Sequence, residues 1–358
     1  MDDTRKTIMV TGGCGFIGSA LIRHILRTTD ARVVNLDKMT YAATPEALEE
    51  CVEAELYHFV LGDIADRDAV RQVFETHAPD GIIHLAAESH VDRSIDGPDA
   101  FINTNVVGTF VLLDEARQYL ASLDEAKQSR FRFHHVSTDE VYGSLSETDP
   151  AFSETTAYNP RSPYSASKAA SDHLVQAWHE TYGLPIVLTN CSNNYGPWQF
   201  PEKLIPVIVI NALEGKPLPV YGEGRNIRDW LHVEDHARAL WTVFDQGKIG
   251  ERYNVGGKAE RRNIDVVKAI CAILNDLKPR SDGKSYAEQI SFVTDRPGHD
   301  LRYAIDCSRI EAGLGWHSHV SFEQGLQQTI QWYLDHESWW RQIRDKTYDG
   351  RRLGMASA

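Results

Sequence analysis

Residues 7–18 read Thr7-Ile8-Met9-Val10-Thr11-Gly12-Gly13-Cys14-Gly15-Phe16-Ile17-Gly18. A short β-branched run leads into glycines at 12, 15 and 18, and an apolar pattern of helical period opens at Ile17. Strand, glycine turn and helix in that order make the phosphate corner of a dinucleotide site. Gly12 permits the tight turn, Gly15 lets backbone N–H groups approach a pyrophosphate at the helix N-terminus, and Gly18 lets the helix pack on the strand. Phe16 and Ile17 belong to the same expected cofactor contact.

A glycine triplet alone is a weak signal, and its setting strengthens it. Asp37 closes a second β-branched run about 20 residues further on, where a carboxylate accepts from an adenosine ribose and repels a 2′-phosphate. That favours NAD over NADP, against the pull of the neighbouring Lys38. Gly62-Asp63-Ile64 and Leu85-Ala86-Ala87-Glu88-Ser89 follow two more strand-like runs, at the strand ends where open α/β sheets hold ligands. Asp63 is placed to accept from an adenine amino group, and Ala86 and Ala87 are small enough for a cofactor to lie against.

Outward from this corner, strands and helices alternate, the signature of βαβ units and a parallel sheet. The spacing predicts strands at Thr7–Thr11, Arg32–Asp37, Leu56–Leu61, Gly81–Ala86, Phe131–Ser137 and Ile186–Asn190. It predicts helices at Ile17–Leu26, Asp66–Thr76, Asn105–Leu120 and Tyr164–Tyr182. The expected fold is a doubly wound parallel α/β sheet (Rossmann) with a smaller C-terminal substrate-binding lobe. Residues 1–190 form the nucleotide-binding part and 191–345 mainly the second lobe, with segments near 229–256 returning to the main sheet and a tail from 346 to 358.

The chain has 358 residues, 42% hydrophobic and 25% charged, which is ordinary globular usage. Its 37 Lys and Arg against 51 Asp and Glu give a net charge of −14, which repels polyanions such as nucleic acids. A small anionic ligand therefore needs a local cluster of cations. Cys14, Cys51, Cys191, Cys271 and Cys307 are scattered without metal-ligand spacing, which fits a reducing cytoplasm. No apolar run approaches the roughly 20 residues that span a bilayer, and the first strand starts too near Met1 for a secretory signal. His134 and His135 face opposite ways on a strand, and His317 with His319 lacks nearby Cys or Asp, so no metal is expected.

Two further motifs carry chemistry. Tyr164-Ser165-Ala166-Ser167-Lys168 opens a helix after Pro163, which puts Tyr164 and Lys168 one turn apart on one face. A phenol of pKa ~10 needs a nearby positive charge, from Lys168 and from an oxidised nicotinamide, before it serves as a base near neutrality. Ser137-Thr138-Asp139-Glu140-Val141-Tyr142-Gly143 ends the fifth strand, where Thr138 can donate to a substrate oxygen.

The glycine loop, the YxxxK pair and a Ser/Thr at the preceding strand end resemble the extended short-chain dehydrogenase/reductase family. STDEVYG, with Asn190-Cys191-Ser192-Asn193-Asn194-Tyr195-Gly196-Pro197, the stretch from Leu218 to Trp230 and Asp295-Arg296-Pro297-Gly298-His299-Asp300, is similar to the branch that dehydrates nucleotide-activated sugars. The resemblance runs from about Lys6 to Tyr333.

It implies three steps at bound NAD. Tyr164 takes the proton of a sugar 4-hydroxyl as C4 is oxidised. Glu140 removes the C5 proton while Asp139 protonates the departing 6-hydroxyl. Reduction at C6 then leaves a 4-keto-6-deoxy sugar. Asp139 should be protonated and Glu140 ionised, split by repulsion and burial. The implied cofactor contacts add Thr40, Ile64, Leu85, Ser89, Thr104, Lys168 and Asn194, with Ser192 alongside.

The implied substrate contacts are Glu88, Ser89, Thr138, Asn193, Lys203, Leu204, Pro219, Tyr221, Arg228, Asn263, Arg296 and His299. Arg228 is the expected diphosphate clamp and Arg225 a further local cation. dTDP-glucose is the expected substrate and a homodimer through the helices near 105–120 and 164–182 the expected assembly. UDP-glucose is an alternative substrate, since one methyl group on the base is worth only roughly 1 to 3 kcal/mol. A 4-epimerase, which has no need of the Asp139–Glu140 pair, is an alternative activity, and a catalytically silent NAD-sensing scaffold is a further one.

Overall fold

The computed structural model describes residues 5–53, 55–346 and 348. Strand β1 (Thr7–Thr11) is buried at all five positions, as a parallel strand covered on both faces must be. Ile8 and Val10 pack on one face against Leu21, Ile25, Val233 and Leu240, whereas Met9 packs on the other against Val34, Leu112 and Val175. The helix Phe16–Thr28 therefore shares its layer with the helix Val233–Gln246, brought from far along the chain.

The remaining strands of this sheet are β2 (Arg32–Asp37), β3 (Tyr57–Leu61), β4 (Gly81–His84), β5 (Arg132–Thr138), β6 (Ile186–Cys191) and β10 (Arg252–Val255). All neighbours pair in parallel, in the order β10-β6-β5-β4-β1-β2-β3. The chain winds outward in both directions from β1 and β4, so their carboxyl ends flank the crevice at which such sheets bind ligands. β4 ends at His84, two residues before the expected end. Thr11 Oγ1 accepts from the Ala86 N–H at 3.2 Å and draws the chain off the sheet into that crevice.

Two strands of the 229–256 region part company. β10 pairs with β6 in the main sheet, whereas β9 (Ile227–His232) joins β7 (Asn193–Tyr195) and β11 (Glu260–Arg262) in a separate three-stranded sheet. The expectation that residues near 229 return to the main sheet is corrected for β9. Its partner edges are the strand just after β6 and the hairpin-like β11, and Trp230 packs with Tyr195 and Phe322 in the core of the lobe. That core also holds the helices Leu204–Leu213, Asn263–Leu277 and Phe322–Asp335. β8 (Leu218–Tyr221) and β12 (Ile290–Val293) pair in parallel beside it. The expected tail from 346 falls, apart from Lys346 and Tyr348, outside the described residues.

The expected helix near 105–120 has two parts. Ile102–Gly108 is wound as a π-helix and Thr109–Ser122 as an α-helix. The wide turn carries Thr104 and Asn105, a placement common at functional sites. The helix Pro163–Tyr182 starts from a capping box, with the Ser165 N–H donating to Ser162 Oγ and the Ser162 N–H to Ser165 Oγ, each at 3.0 Å, and Pro163 at the first position. This cap fixes the first turn, and so the direction of Tyr164. Replacing Ser162 with Ala should cost about 1 kcal/mol and lower the melting temperature by about 2–4 °C, read by calorimetry.

Candidate active site

One cavity lies over the carboxyl ends of β1, β2, β4 and β5 and continues toward the segment 191–205. The glycine loop is its floor. Gly12 has φ +73°, and a Cβ there would sit 2.7 Å from the Ala86 backbone; a Cβ on Gly18 would sit 2.2 Å from the Gly12 carbonyl oxygen. The loop is thus locked between β4 and the helix, with Phe16 and Ile17 along the wall.

Asp37 is buried beside it, accepting from the Cys14 N–H at 2.9 Å and the Met39 N–H at 2.8 Å. Burial raises its pKa, and those two N–H groups and Lys38 oppose the rise. Lys38 itself turns to Thr104, at 3.0 Å, and Asp63, at 3.6 Å, so its ammonium is held on the 63–104 side. Thr40, Ile64, Leu85, Ala86, Ala87, Ser89 and Asn194 also line this cavity.

The chemical end is built on β5 and the helix Pro163–Tyr182. Thr138 caps the turn Asp139–Tyr142, accepting from the Glu140 N–H at 3.3 Å and lying 3.4 Å from Asp139 Oδ1. This turn places both carboxyls at the cavity with Tyr164 and Lys168. Burial, and then the charges of Glu140 and Asp229, hold the pKa of Asp139 well above the ordinary carboxylate range. Burial also raises Glu140, but Arg296, Arg228 and Lys203 pull it down. The two adjacent acids therefore differ in the balance of their surrounding charge: anions outweigh Arg228 around Asp139, whereas three cations outweigh Asp300 around Glu140.

Tyr164 completes this end of the cavity. In the protein itself burial and the charge of Glu140 push its phenol well above the usual range, and only the Thr138 hydrogen bond is a lowering influence. Lys168 donates to the Val136 carbonyl at 2.9 Å, and burial lowers its pKa. The positive charge that a phenolate needs thus has to come in part from a bound cationic ring.

Beneath this pair lies buried Asp172, one turn beyond Lys168. It accepts from His135 at 3.1 Å, Ser137 at 2.9 Å, Tyr158 at 2.7 Å and Asn190 at 3.3 Å. Burial is the largest influence on its pKa, yet these donors and Lys168 bring it below the usual value. His134 bonds Thr189 at 3.0 Å on the opposite face of β5. The sequence reading passed over Asp172, and also Asn105, which accepts from the Glu88 N–H at 2.8 Å and donates to Ser167 at 2.9 Å. Asp172, four residues past Lys168 on the same helical face, was findable from spacing. Asn105 was not, because only the π-turn brings it there.

The substrate candidates fall into two groups. Glu88, Ser89, Asn193, Lys203 and Leu204 line the cavity, and Lys203 donates to the Ser89 carbonyl at 2.8 Å. Pro219, Tyr221, Arg228, Asn263, Arg296 and His299 are not among its lining residues, although Arg228 and Arg296 act on Glu140, which is. Arg228 donates to the carbonyls of Ile227 at 2.7 Å and Asp300 at 3.0 Å and lies 4.2 Å over the Tyr303 ring, bonds that fix its guanidinium. Arg296 pairs with Asp92 at 3.1 Å, Tyr221 donates to the same carboxylate at 3.1 Å, and His299 holds Asp295 at 2.6 Å. Arg225 is exposed and paired with Glu223. Asp139 Oδ2, Asn193 Oδ1 and Asn263 Oδ1 are buried without a partner, and such groups call for a polar ligand.

The chain that builds this site belongs to the GDP-mannose 4,6 dehydratase family, whose model matches residues 9–329. Within that class it is 57% identical to a dTDP-glucose 4,6-dehydratase of Escherichia coli over 97% of this chain and 99% of the relative. The dTDP-glucose 4,6-dehydratase of Streptomyces venezuelae, solved with NAD and dTDP bound, superposes with a TM-score of 0.86 at 41% identity, covering 94% of this chain and 99% of the other. That of Bacillus anthracis, in complex with NAD, gives 0.83 at 42% identity over the same shares.

The charge arrangement sets an expected pH response. Arg296→Gln removes the first of the cations that lower Glu140, so the Glu140 pKa rises further. A step that needs Glu140 ionised is then lost at a higher pH on the acid side than in the unmodified protein, which the pH profile of turnover will show.

Proposed function

We propose that the protein converts dTDP-glucose to dTDP-4-keto-6-deoxyglucose and water, a hydro-lyase reaction at bound NAD. The observation that carries this reading is the Asp139–Glu140 pair, two adjacent acids in opposite electrostatic surroundings within one cavity shared with Tyr164 and the glycine loop. A 4-epimerase has no work for such a pair. Gly12, Gly15, Gly18 and Asp37 would hold NAD by its pyrophosphate and ribose. Bound NAD would supply a hydride acceptor for C4, a hydride donor for C6 and a positive charge that favours a Tyr164 phenolate.

Tyr164, oriented by its capped helix, takes the proton of the 4-hydroxyl, and Thr138 donates to the same oxygen as it becomes a carbonyl. The 4-ketone acidifies C5–H. Glu140, its ionised form favoured by Arg296, Arg228 and Lys203, removes that proton. Asp139, kept protonated by burial and by Glu140 and Asp229, gives its proton to the departing 6-hydroxyl, so that water leaves. Glu140 returns a proton to C5 as C6 is reduced; Asp139, left ionised by the loss of water, is reprotonated through solvent with the equivalent of the proton that Tyr164 took from the 4-hydroxyl, and the cycle closes.

Lys203 and Asn193 would receive the diphosphate, with Arg228 and Arg296 close enough behind them to influence the site's charge. The exposed Ile102, Val107, Phe110 and Tyr182 form an apolar face on the helices near 102–122 and 163–182, which supports a homodimer through those helices. Five buried free cysteines support a cytoplasmic location. No described helix is long and apolar enough to cross a membrane.

Incubation with dTDP-glucose should yield a product lighter by one water, with no net cofactor reduction, and a parallel UDP-glucose sample measures the preference for the base. Unchanged dTDP-glucose would sink the reading. Glu140→Gln should lower turnover by roughly 10²–10⁴-fold and let the 4-keto sugar accumulate without loss of water, detected by mass spectrometry. An epimerase would keep much of its activity.

A further inference from the structure

Glu202 stands among the cavity-lining residues, yet its carboxylate is fully engaged by two groups from the nucleotide-binding side. Tyr41 donates its phenol hydrogen to Oε1 at 3.0 Å, and Arg93 donates from Nε to Oε2 at 2.8 Å. The Arg93 guanidinium lies 3.8 Å over the Tyr41 ring, and the Phe200 ring meets Tyr41 edge-on at 5.5 Å. His90 adds a bond to the Glu202 carbonyl at 3.2 Å. Two side chains from separate stretches of sequence, Tyr41 and Arg93, thus close on the Glu202 carboxylate, with Phe200 packed on Tyr41 and His90 on the Glu202 carbonyl.

What these stretches do elsewhere gives the cluster its meaning. Tyr41 sits between Thr40 and Ala42, which line the cavity next to Asp37 and Lys38. Glu202 sits between Phe200 and Lys203, which line it beyond the chemical end. The Tyr41–Glu202 bond therefore joins the loop after β2, where the adenosine half of NAD would lie, to the segment that carries Lys203. Burial and the Glu202 charge push the Tyr41 phenol far above its usual pKa, so it remains a donor throughout the working pH range.

We infer that Tyr41, Glu202 and Arg93 form a clasp across the cavity that retains NAD between turnovers. This rests on the reading of the cavity as an NAD site. An enzyme that takes a hydride and gives it back within one cycle has no need to exchange its cofactor, and a charge-assisted bond between two cavity-lining segments slows exchange without touching the reacting atoms. The three act as positioning residues.

The test is exchange of bound NAD for isotopically labelled NAD in the purified full-length protein, read by mass spectrometry, alongside kcat at saturating NAD. Tyr41→Phe removes one hydroxyl and leaves the ring beneath Arg93. It should speed exchange roughly ten-fold, as loss of a hydrogen bond to a charged group implies, and lower the NAD content on purification, with kcat at saturating NAD unchanged. Glu202→Gln, which keeps an acceptor but loses the charge, should also exchange faster than the unmodified protein. Exchange at the unmodified rate in both variants overturns the clasp, as does a kcat that stays depressed in Tyr41→Phe at saturating NAD. Unmodified protein that neither carries nor binds NAD would overturn the cofactor reading itself, a different result from NAD held equally well by all three proteins.

Discussion

Repulsion between two neighbouring carboxyls sets the terms for this site. Asp139 and Glu140 are consecutive, both turned toward one cavity, and both lifted by burial. Two such groups cannot both ionise cheaply. The fold resolves the conflict by unequal company. Asp229, held by the Ala259 and Gly257 N–H groups at 2.6 and 3.1 Å, faces Asp139 from β9. Arg228, its neighbour on the same strand, and Arg296 act on Glu140. Because successive residues of a strand point to opposite faces, β9 supplies an anion and a cation from adjacent positions. The second lobe therefore takes part in setting the protonation of the two acids.

Much of the main sheet was legible because its signals are local. β1 and β2 stand where the β-branched runs of Thr7–Thr11 and Arg32–Asp37 placed them, and the glycine spacing located the crevice. The gathering of Thr138, Asp139, Glu140, Tyr164 and Lys168 at one cavity was likewise readable, since Tyr164 and Lys168 are related by helical pitch and Thr138, Asp139 and Glu140 are contiguous. What escaped depends on distant partners. Nothing within Ile227–His232 says that its neighbours are β7 and β11, because the edge that receives a strand is chosen by tertiary packing. The surroundings of Tyr164 were also only partly legible. The sequence shows a lysine one turn away, but not that this lysine bonds the Val136 carbonyl or that Glu140 lies closer in effect.

Arg228 and Glu202 show the same limit from opposite sides. Arg228 was expected at the ligand, and the structure occupies its guanidinium with carbonyl oxygens. Glu202 drew no notice beside Lys203, and it proves to be the point where residues 41, 93 and 202 converge. Residue type suggests what a side chain can do, but competing partners decide what it does.

The pairing of β10 with β6 has a consequence for how the molecule is made. β6 leaves the ribosome with β5 already available on one side, but its other edge must wait for the whole stretch from Cys191 to Arg252, and with it all of β7, β8 and β9. Until Arg252–Val255 arrives, the nascent chain carries an open strand edge flanked by Val187, a residue that ends fully buried. Open apolar edges recruit other chains, and pairings of such long sequence separation form slowly. The nascent protein is thus most exposed to aggregation while its second lobe is being synthesised.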